Sequence, residues 1–156
     1  MKTTLLAVFT ALSINCALAQ NFTEIGQYEF KTTESYKAQE QNVLLCANYL
    51  FNNPADFGEL NRLNSTQFIV KWMTGTPDYT FALGEEVLEL TKGNEDLLGL
   101  YMAAMSKVVI EHEGDPLSNE AIYEQSKALL VDYCSNPDNN IKPSKKIKRI
   151  MKGKDS

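Results

Sequence analysis

One stretch of the chain, residues 95–113, is apolar around nearly the whole circumference of the helix that its spacing predicts. Asn94 is placed to cap this helix, and Glu95 and Asp96 suit the positive end of the helix dipole. A helix without a continuous polar face is stable only where other elements surround it. The stretch therefore predicts the central helix of an all-α domain. Its apolar residues are Leu97, Leu98, Leu100, Tyr101, Met102, Ala103, Ala104, Met105, Val108, Val109 and Ile110.

Shorter segments with apolar residues at helical spacing predict the surrounding helices, at residues 35–51, 64–74, 80–92 and 118–134. The helix at 64–74 has the clearest start, because Asn64 and Gln67 form a capping-box pattern. Gly75 is expected to end it in a left-handed conformation. Strand patterns are nearly absent. The sequence thus predicts an all-α fold, either a bundle of about five helices or a stack of antiparallel helical hairpins.

The N-terminal residues 1–19 have the pattern of a signal peptide. Lys2 precedes an apolar run, and Ala17-Leu18-Ala19 forms a small-x-small cleavage site before Gln20. We therefore expect an exported protein, periplasmic or extracellular. We also expect no transmembrane segment, since no second run approaches the roughly 20 apolar residues that a membrane span needs.

The remaining chain divides into three parts by its pattern. Residues 20–34 mix aromatic and polar side chains and predict an irregular N-terminal arm. Residues 35–136 predict the helical domain, and residues 137–156 predict a basic C-terminal tail. The charges are divided in the same way: residues 20–140 carry 7 Lys or Arg against 19 Asp or Glu, whereas residues 141–156 carry 7 against 1.

Two cysteines, Cys46 and Cys134, remain once Cys16 leaves with the signal peptide. An even pair in an oxidising compartment predicts a disulfide between them. The alternative is two separately buried thiols that act as small hydrophobic side chains.

The basic tail predicts a binding surface. Its lysines alternate with apolar residues in a pattern suited to anionic lipid, a polyanion or an acidic protein surface. The alternative is a disordered, solubilising end, or one that folds back on the acidic body. Nucleic acid is not an expected partner, because the acidic body would repel phosphates. The predicted binding residues are Lys145, Lys146, Lys148, Arg149 and Lys152.

Candidate catalytic groups are few. His112 is the only histidine and would be the general base of a hydrolase, or else a polar residue at a solvated helix end. Glu85 and Glu89 share one helix face and would bind a cation only if a second helix supplied partners. Neither a zinc motif nor a serine-nucleophile elbow is present in the sequence, and we expect no metal and no cofactor.

Aromatic residues offer another kind of site. Trp72, Tyr79, Phe81 and Tyr101 would line a ligand pocket or, as aromatics at helical spacing more often do, fill the core.

Two segments, Ala47–Pro54 and Phe68–Pro77, resemble those of uncharacterised short exported all-helical proteins of Bacteroidota. The similarity covers about residues 35–135, and it implies export and a helical fold but no catalytic residue. The sequence therefore predicts an exported, non-enzymatic protein that binds another protein or a small ligand. Two alternatives stay open: a hydrolase that uses His112 or helix carboxylates, and a surface-associated protein held by its basic tail.

Overall fold

The computed structural model describes residues 22–56 and 58–153, and all regular structure in these residues is helical. The all-α prediction is confirmed. The predicted signal peptide lies outside the described residues. The helices are α1 (residues 22–27), α2 (Thr33–Ala38), α3 (Glu40–Asn52), α4 (Leu60–Met73), α5 (Glu85–Thr91), α6 (Glu95–Glu111), α7 (Asn119–Ser135) and α8 (Lys145–Met151), with a short 3₁₀ helix at Pro137–Asn139.

Helix α6 is the central helix, as its composition predicts. It packs against α3, α4, α5 and α7. Leu97 and Tyr101 are fully buried, and the small residues Ala103 and Ala104 let the neighbouring helices approach closely. The side chain of Asn94 accepts a hydrogen bond from the Asp96 amide at 3.1 Å, which confirms the predicted cap.

Helix α4 begins four residues earlier than predicted. Glu59 caps it by accepting hydrogen bonds from the amides of Asn61 at 3.1 Å and Arg62 at 3.2 Å. The Asn64 capping prediction was wrong, because Asn64 lies inside the helix and packs against α1. A Cβ added at Gly26 would lie 2.6 Å from the Asn64 side-chain oxygen, so glycine is what allows α1 to approach so closely.

Helix α4 ends at Met73, but not by a left-handed glycine. The only glycines with positive φ among the described residues are Gly93, Gly114 and Gly153. Gly75 serves a different purpose, since a Cβ there would lie 2.0 Å from the Tyr36 hydroxyl. The absence of a side chain at Gly75 therefore lets α2 pack against the end of α4.

The predicted N-terminal arm is irregular only at residues 28–32 of its described part. Residues 22–27 are helical, Phe22 and Ile25 are buried, and the helix predicted to start at residue 35 is divided into α2 and α3 at Gln39. The physical reason is aromatic packing: the Phe22 and Tyr49 rings lie 4.5 Å apart, and the ring of Phe30 is 5.4 Å from that of Phe68. These residues belong to the core of the domain.

The basic tail also belongs to the fold. Ser144 caps α8 by accepting a hydrogen bond from the Ile147 amide at 3.1 Å, and α8 packs against α5 and α7. Ile147 is fully buried, because isoleucines at helical spacing give α8 an apolar side. The helical domain predicted at residues 35–136 is therefore too short at both ends.

The predicted Cys46–Cys134 disulfide is wrong, since both cysteines are buried free thiols. The Cys46 thiol lies beside Ser65 of α4. On α7, the Tyr133 hydroxyl donates to the Asn53 carbonyl at 2.7 Å, which is about 10 Å along α3 from Cys46. That hydrogen bond places the side chain of Tyr133, the residue before Cys134, at the end of α3, whereas Cys46 lies in the middle of that helix. Burial raises the pKa of Cys46 to about 12 and that of Cys134 to about 11.

In the described part of the chain, no helix combines the length and the apolar character needed to cross a bilayer.

Candidate functional site

An open cleft of about 650 Å³ lies between α2, the segment at residues 77–80, the end of α6 and the start of α7. Its size falls within the range of small-molecule sites in proteins, roughly 300 to 1,000 Å³. The cleft combines an apolar surface with polar groups around it. The apolar lining residues are Pro77, Tyr79, Val109, Pro116, Leu117 and Ile122, and the polar ones include Thr33, Glu34, Lys37, Asp78, Thr80, His112, Glu113 and Asn119.

Local sequence signals position the walls of the cleft. Gly114 adopts φ of 86°, which turns the chain away from α6 at no steric penalty. Four residues later Ser118 caps α7, where its hydroxyl accepts a hydrogen bond from the Ala121 amide at 3.2 Å. The wall on α7 is therefore fixed by a glycine turn followed by a helix cap.

A charged network ties α2 to the end of α6 at the edge of the cleft. The Lys37 ammonium lies 2.8 Å from a carboxylate oxygen of Glu40 and also binds Glu113. These bonds, with Glu113 the stronger influence, hold the pKa of Lys37 above its ordinary value. Burial raises the pKa of Tyr79 to about 12, and the nearby Glu40 carboxylate adds to this effect. The Tyr79 hydroxyl is therefore protonated at neutral pH.

His112 lies in the cleft with one ring nitrogen already engaged. Its Nδ1 is 2.8 Å from the Val108 carbonyl oxygen, an atom that can only accept a hydrogen bond. Nδ1 therefore carries the hydrogen, and Nε2 of the neutral ring is left as an acceptor. The partner of Nδ1 is a backbone carbonyl, where a Ser-His-Asp arrangement would have a carboxylate.

The predicted carboxylate pair does not reach the cleft. Glu89 pairs with Lys92 at 2.7 Å on the exposed side of α5, and Glu85 is exposed in the first turn of that helix. Among residues 22–56 and 58–153, no group of three or more His, Cys, Asp or Glu side chains could hold a metal ion.

The four predicted aromatic residues divide between core and cleft. Trp72 and Tyr101 are fully buried, and the Trp72 indole donates to the Tyr36 carbonyl at 3.1 Å. Tyr79 lines the cleft, and its ring centroid is 5.6 Å from that of Trp72. The single tryptophan of the chain therefore lies directly behind one wall of the cleft.

The predicted basic residues lie on α8 or, for Lys152, directly after it, and away from the cleft. Lys145, Lys148, Arg149 and Lys152 are exposed, whereas Lys146 is half-buried and lies near Glu89. These residues present positive charge to solvent while the apolar side of α8 is buried.

Sequence reasoning missed most of the residues that line the cleft. Lys37 and Glu113 are 76 residues apart in the chain, and nothing local links them. The sequence signals that could have revealed cleft residues are those of the helix ends. The turn at Gly114 and the cap at Ser118 place Glu113 and Asn119 at one edge of the cleft.

No protein-family model, no curated protein sequence and no solved structure matches the chain. The likeness to exported helical proteins of Bacteroidota therefore stays a prediction from the sequence.

Proposed function

We propose that this chain is an exported, non-enzymatic helical protein that binds a small ligand in the cleft described above. The observation that carries the proposal is the cleft itself, with its volume of about 650 Å³ and its mixed lining. Small-molecule sites typically offer a concave apolar surface with a few polar groups that orient the ligand. Export is supported by the signal-peptide pattern of residues 1–19.

The elements around the cleft support a preformed site. Val109 at the cleft is 7% exposed and belongs to the buried side of α6, so that surface is part of the core. Tyr79 packs against the buried Trp72, and Lys37 is held by two carboxylates. A site whose walls are fixed before binding loses less conformational entropy when the ligand arrives.

The chemistry of the lining favours binding over catalysis. A hydrolase that forms a covalent intermediate needs a nucleophile and a base within hydrogen-bond reach of each other. Neither Cys46 nor Cys134 lines the cleft, and burial raises the pKa of both thiols. His112 is the best candidate base, but neither a serine nor a cysteine of the described residues lines the cleft beside it.

The test is a fragment screen followed by two-dimensional NMR of the ¹⁵N-labelled protein. We expect fragments that bind and cause chemical-shift changes in the residues of the cleft. Asn119→Phe should abolish this binding, because Asn119 is an exposed lining residue and a larger side chain there would fill the cleft. Gln67→Phe is the matched control, since Gln67 is exposed on α4 and does not line the cleft. Hits that map elsewhere, or none at all, would refute the proposal.

The hydrolase alternative is tested separately. His112→Ala, alone and combined with Glu85→Gln and Glu89→Gln, is assayed on chromogenic ester, phosphoester and glycoside substrates. Turnover by the parent that is lost in His112→Ala, with the NMR spectrum otherwise intact, would establish catalysis and overturn the non-enzymatic proposal.

A second candidate function, attachment to an anionic surface, is favoured by the exposed cations of α8. Because Ile147 is buried, α8 would act through charge and not through insertion. Each Lys or Arg near an anionic surface contributes about 1 kcal/mol. Replacing Lys145, Lys148, Arg149 and Lys152 by Gln should abolish co-sedimentation with phosphatidylserine-containing vesicles, whereas pure phosphatidylcholine vesicles should bind neither protein. Undiminished binding by the variant would exclude this function.

A further inference from the structure

We infer that the cleft takes a small organic amine, a molecule with an apolar or aromatic body and one ammonium group. The inference rests on the proposed function, because it names the class of ligand that the same cleft binds. Its basis is the combination of an apolar surface with three carboxylates in the lining of the same cleft.

Negative charge dominates the lining of the cleft. Three carboxylates line it, those of Glu34, Asp78 and Glu113, against the single ammonium of Lys37. That ammonium is already shared between Glu113 and the buried Glu40. Its charge is therefore neutralised within the protein, and the potential of the cleft is left negative.

Two of these carboxylates are available to a ligand. Asp78 has no ion-pair or hydrogen-bond partner among the described residues, and it adjoins Tyr79 in the lining. The Glu34 carboxylate is exposed at the start of α2 and interacts there with its own backbone amide and the Thr32 hydroxyl. Both carboxylates therefore lie on the lining that a ligand in the cleft would contact.

The neutral groups point to the same ligand class. The Nε2 atom of neutral His112 accepts hydrogen bonds, because Nδ1 carries the ring hydrogen toward the Val108 carbonyl. The Tyr79 ring lines the cleft and would attract a nearby cation through its π face. Pro116, Leu117 and Ile122 supply the apolar surface for the body of the molecule.

The N-terminus of α7 is the feature of the cleft that favours an anionic ligand, and neighbouring groups offset it. The start of α7 borders the cleft, and a helix N-terminus attracts negative charge. The Ser118 hydroxyl already accepts from the Ala121 amide, however, and Glu120 lies in the first turn of the helix. An anionic ligand would also have to displace Glu113 from Lys37.

The experiment compares three probes of similar shape by NMR titration at neutral pH and low salt: 2-phenylethylamine, 2-phenylethanol and 3-phenylpropanoate. We expect the amine to bind most tightly and to lose affinity as salt is added. Glu34→Gln and Asp78→Asn should each weaken amine binding about two- to fivefold, the range of exposed ion pairs, and leave 2-phenylethanol unaffected. Glu95→Gln, at the other end of α6, is the matched control.

The outcomes separate this inference from the proposed function. If 3-phenylpropanoate or 2-phenylethanol binds the cleft as tightly as the amine, the ligand class is wrong while the cleft remains a binding site. The ligand class is also wrong if the two carboxylate variants weaken binding of the alcohol as much as binding of the amine. It is wrong as well if fragments bind the cleft and none of the three probes does. If neither fragments nor probes shift resonances of the cleft, the proposed function fails with the inference.

Discussion

Replacement of Arg62 by Ala should destabilise the fold strongly, because Arg62 completes the end of α3. Arg62 is 5% exposed and has no carboxylate partner among the described residues. Its guanidinium donates to the carbonyls of Leu50 at 3.3 Å and Pro54 at 3.4 Å. The Leu50 carbonyl belongs to the last turn of α3, where no amide of the helix reaches it, because the chain is extended at Asn53 and Pro54 carries no amide hydrogen. The Arg62 side chain of α4 therefore supplies a hydrogen bond that the end of α3 lacks.

The magnitude follows from the geometry. Arg62 also donates to the Tyr133 hydroxyl of α7 at 3.5 Å, so three elements meet at one side chain. All three hydrogen bonds are long, which places each near the lower end of the range of about 0.5 to 1.5 kcal/mol. Loss of the packed side-chain stem adds to this, and relief from burying a charge offsets part of it. We expect Arg62→Ala to lower the free energy of unfolding by about 2 to 4 kcal/mol.

Urea denaturation followed by circular dichroism measures the effect, with Arg149→Ala as the control because Arg149 is exposed on α8. The control should change stability by no more than about 0.5 kcal/mol. A double-mutant cycle with Tyr133→Phe tests the cause, because that variant removes the hydroxyl that Arg62 contacts on α7. Arg62→Ala should therefore be less destabilising in the Tyr133→Phe background. Equal losses in both backgrounds would refute the contribution of the link to α7, and a loss comparable to the control would refute the role of Arg62 altogether.

Three further predictions concern packing and the thiols. Ile147→Ala should lower the free energy of unfolding by about 2 to 4 kcal/mol in urea denaturation, because Ile147 is fully buried. Gly75→Ala should lower the free energy of unfolding by about 1 to 3 kcal/mol in the same assay, because its Cβ would collide with Tyr36. The loss should be smaller in a Tyr36→Ala background. Cys46 and Cys134 should react with Ellman's reagent only after unfolding, and the intact unreduced protein should have the mass of the dithiol.

Matched substitutions control for these effects. Met151→Ala alters an α8 side chain that is 44% exposed, and it should change stability far less than Ile147→Ala. Gly58→Ala places its Cβ at ordinary contact distance, 3.6 Å from the Asp56 carboxylate, and should be tolerated. If Ile147→Ala and Met151→Ala have the same effect, α8 is not docked on the body. A mass two hydrogens lower than the dithiol would contradict the free thiols.

The local sequence pattern predicted the helix that is apolar on all sides, and it failed for elements whose position depends on contacts with residues distant in the chain. The stretch at 95–113 was recognised because a helix apolar on all sides has only one stable environment. The start of α4 was misplaced because Asn64 followed by Gln67 satisfies the capping rule locally, whereas its contact with Gly26 is tertiary. In the N-terminal arm, the partner of Phe22 is Tyr49, and no periodicity in the arm reveals it.

The disulfide prediction failed for a related reason. Cysteine number and compartment indicate whether a bridge is chemically allowed, but bridging also needs Cα atoms within about 4.4 to 6.8 Å. Helix α6 packs against both α3 and α7, the Tyr133 hydroxyl reaches the Asn53 carbonyl at the end of α3, and both thiols stay free. That register depends on interhelical packing, which the spacing of two cysteines does not encode.

The two walls of the cleft differ in how they are held by tertiary contacts. Its wall on α2 has no buried residue of its own, so α2 is held by contacts at its surface. Tyr36 packs against Gly75 and stacks on Phe30, while Lys37 reaches Glu113 at the end of α6. The opposite wall, on α6 and α7, is anchored in the core. A ligand that contacts both walls would therefore stabilise mainly α2, because none of its residues is buried in the core.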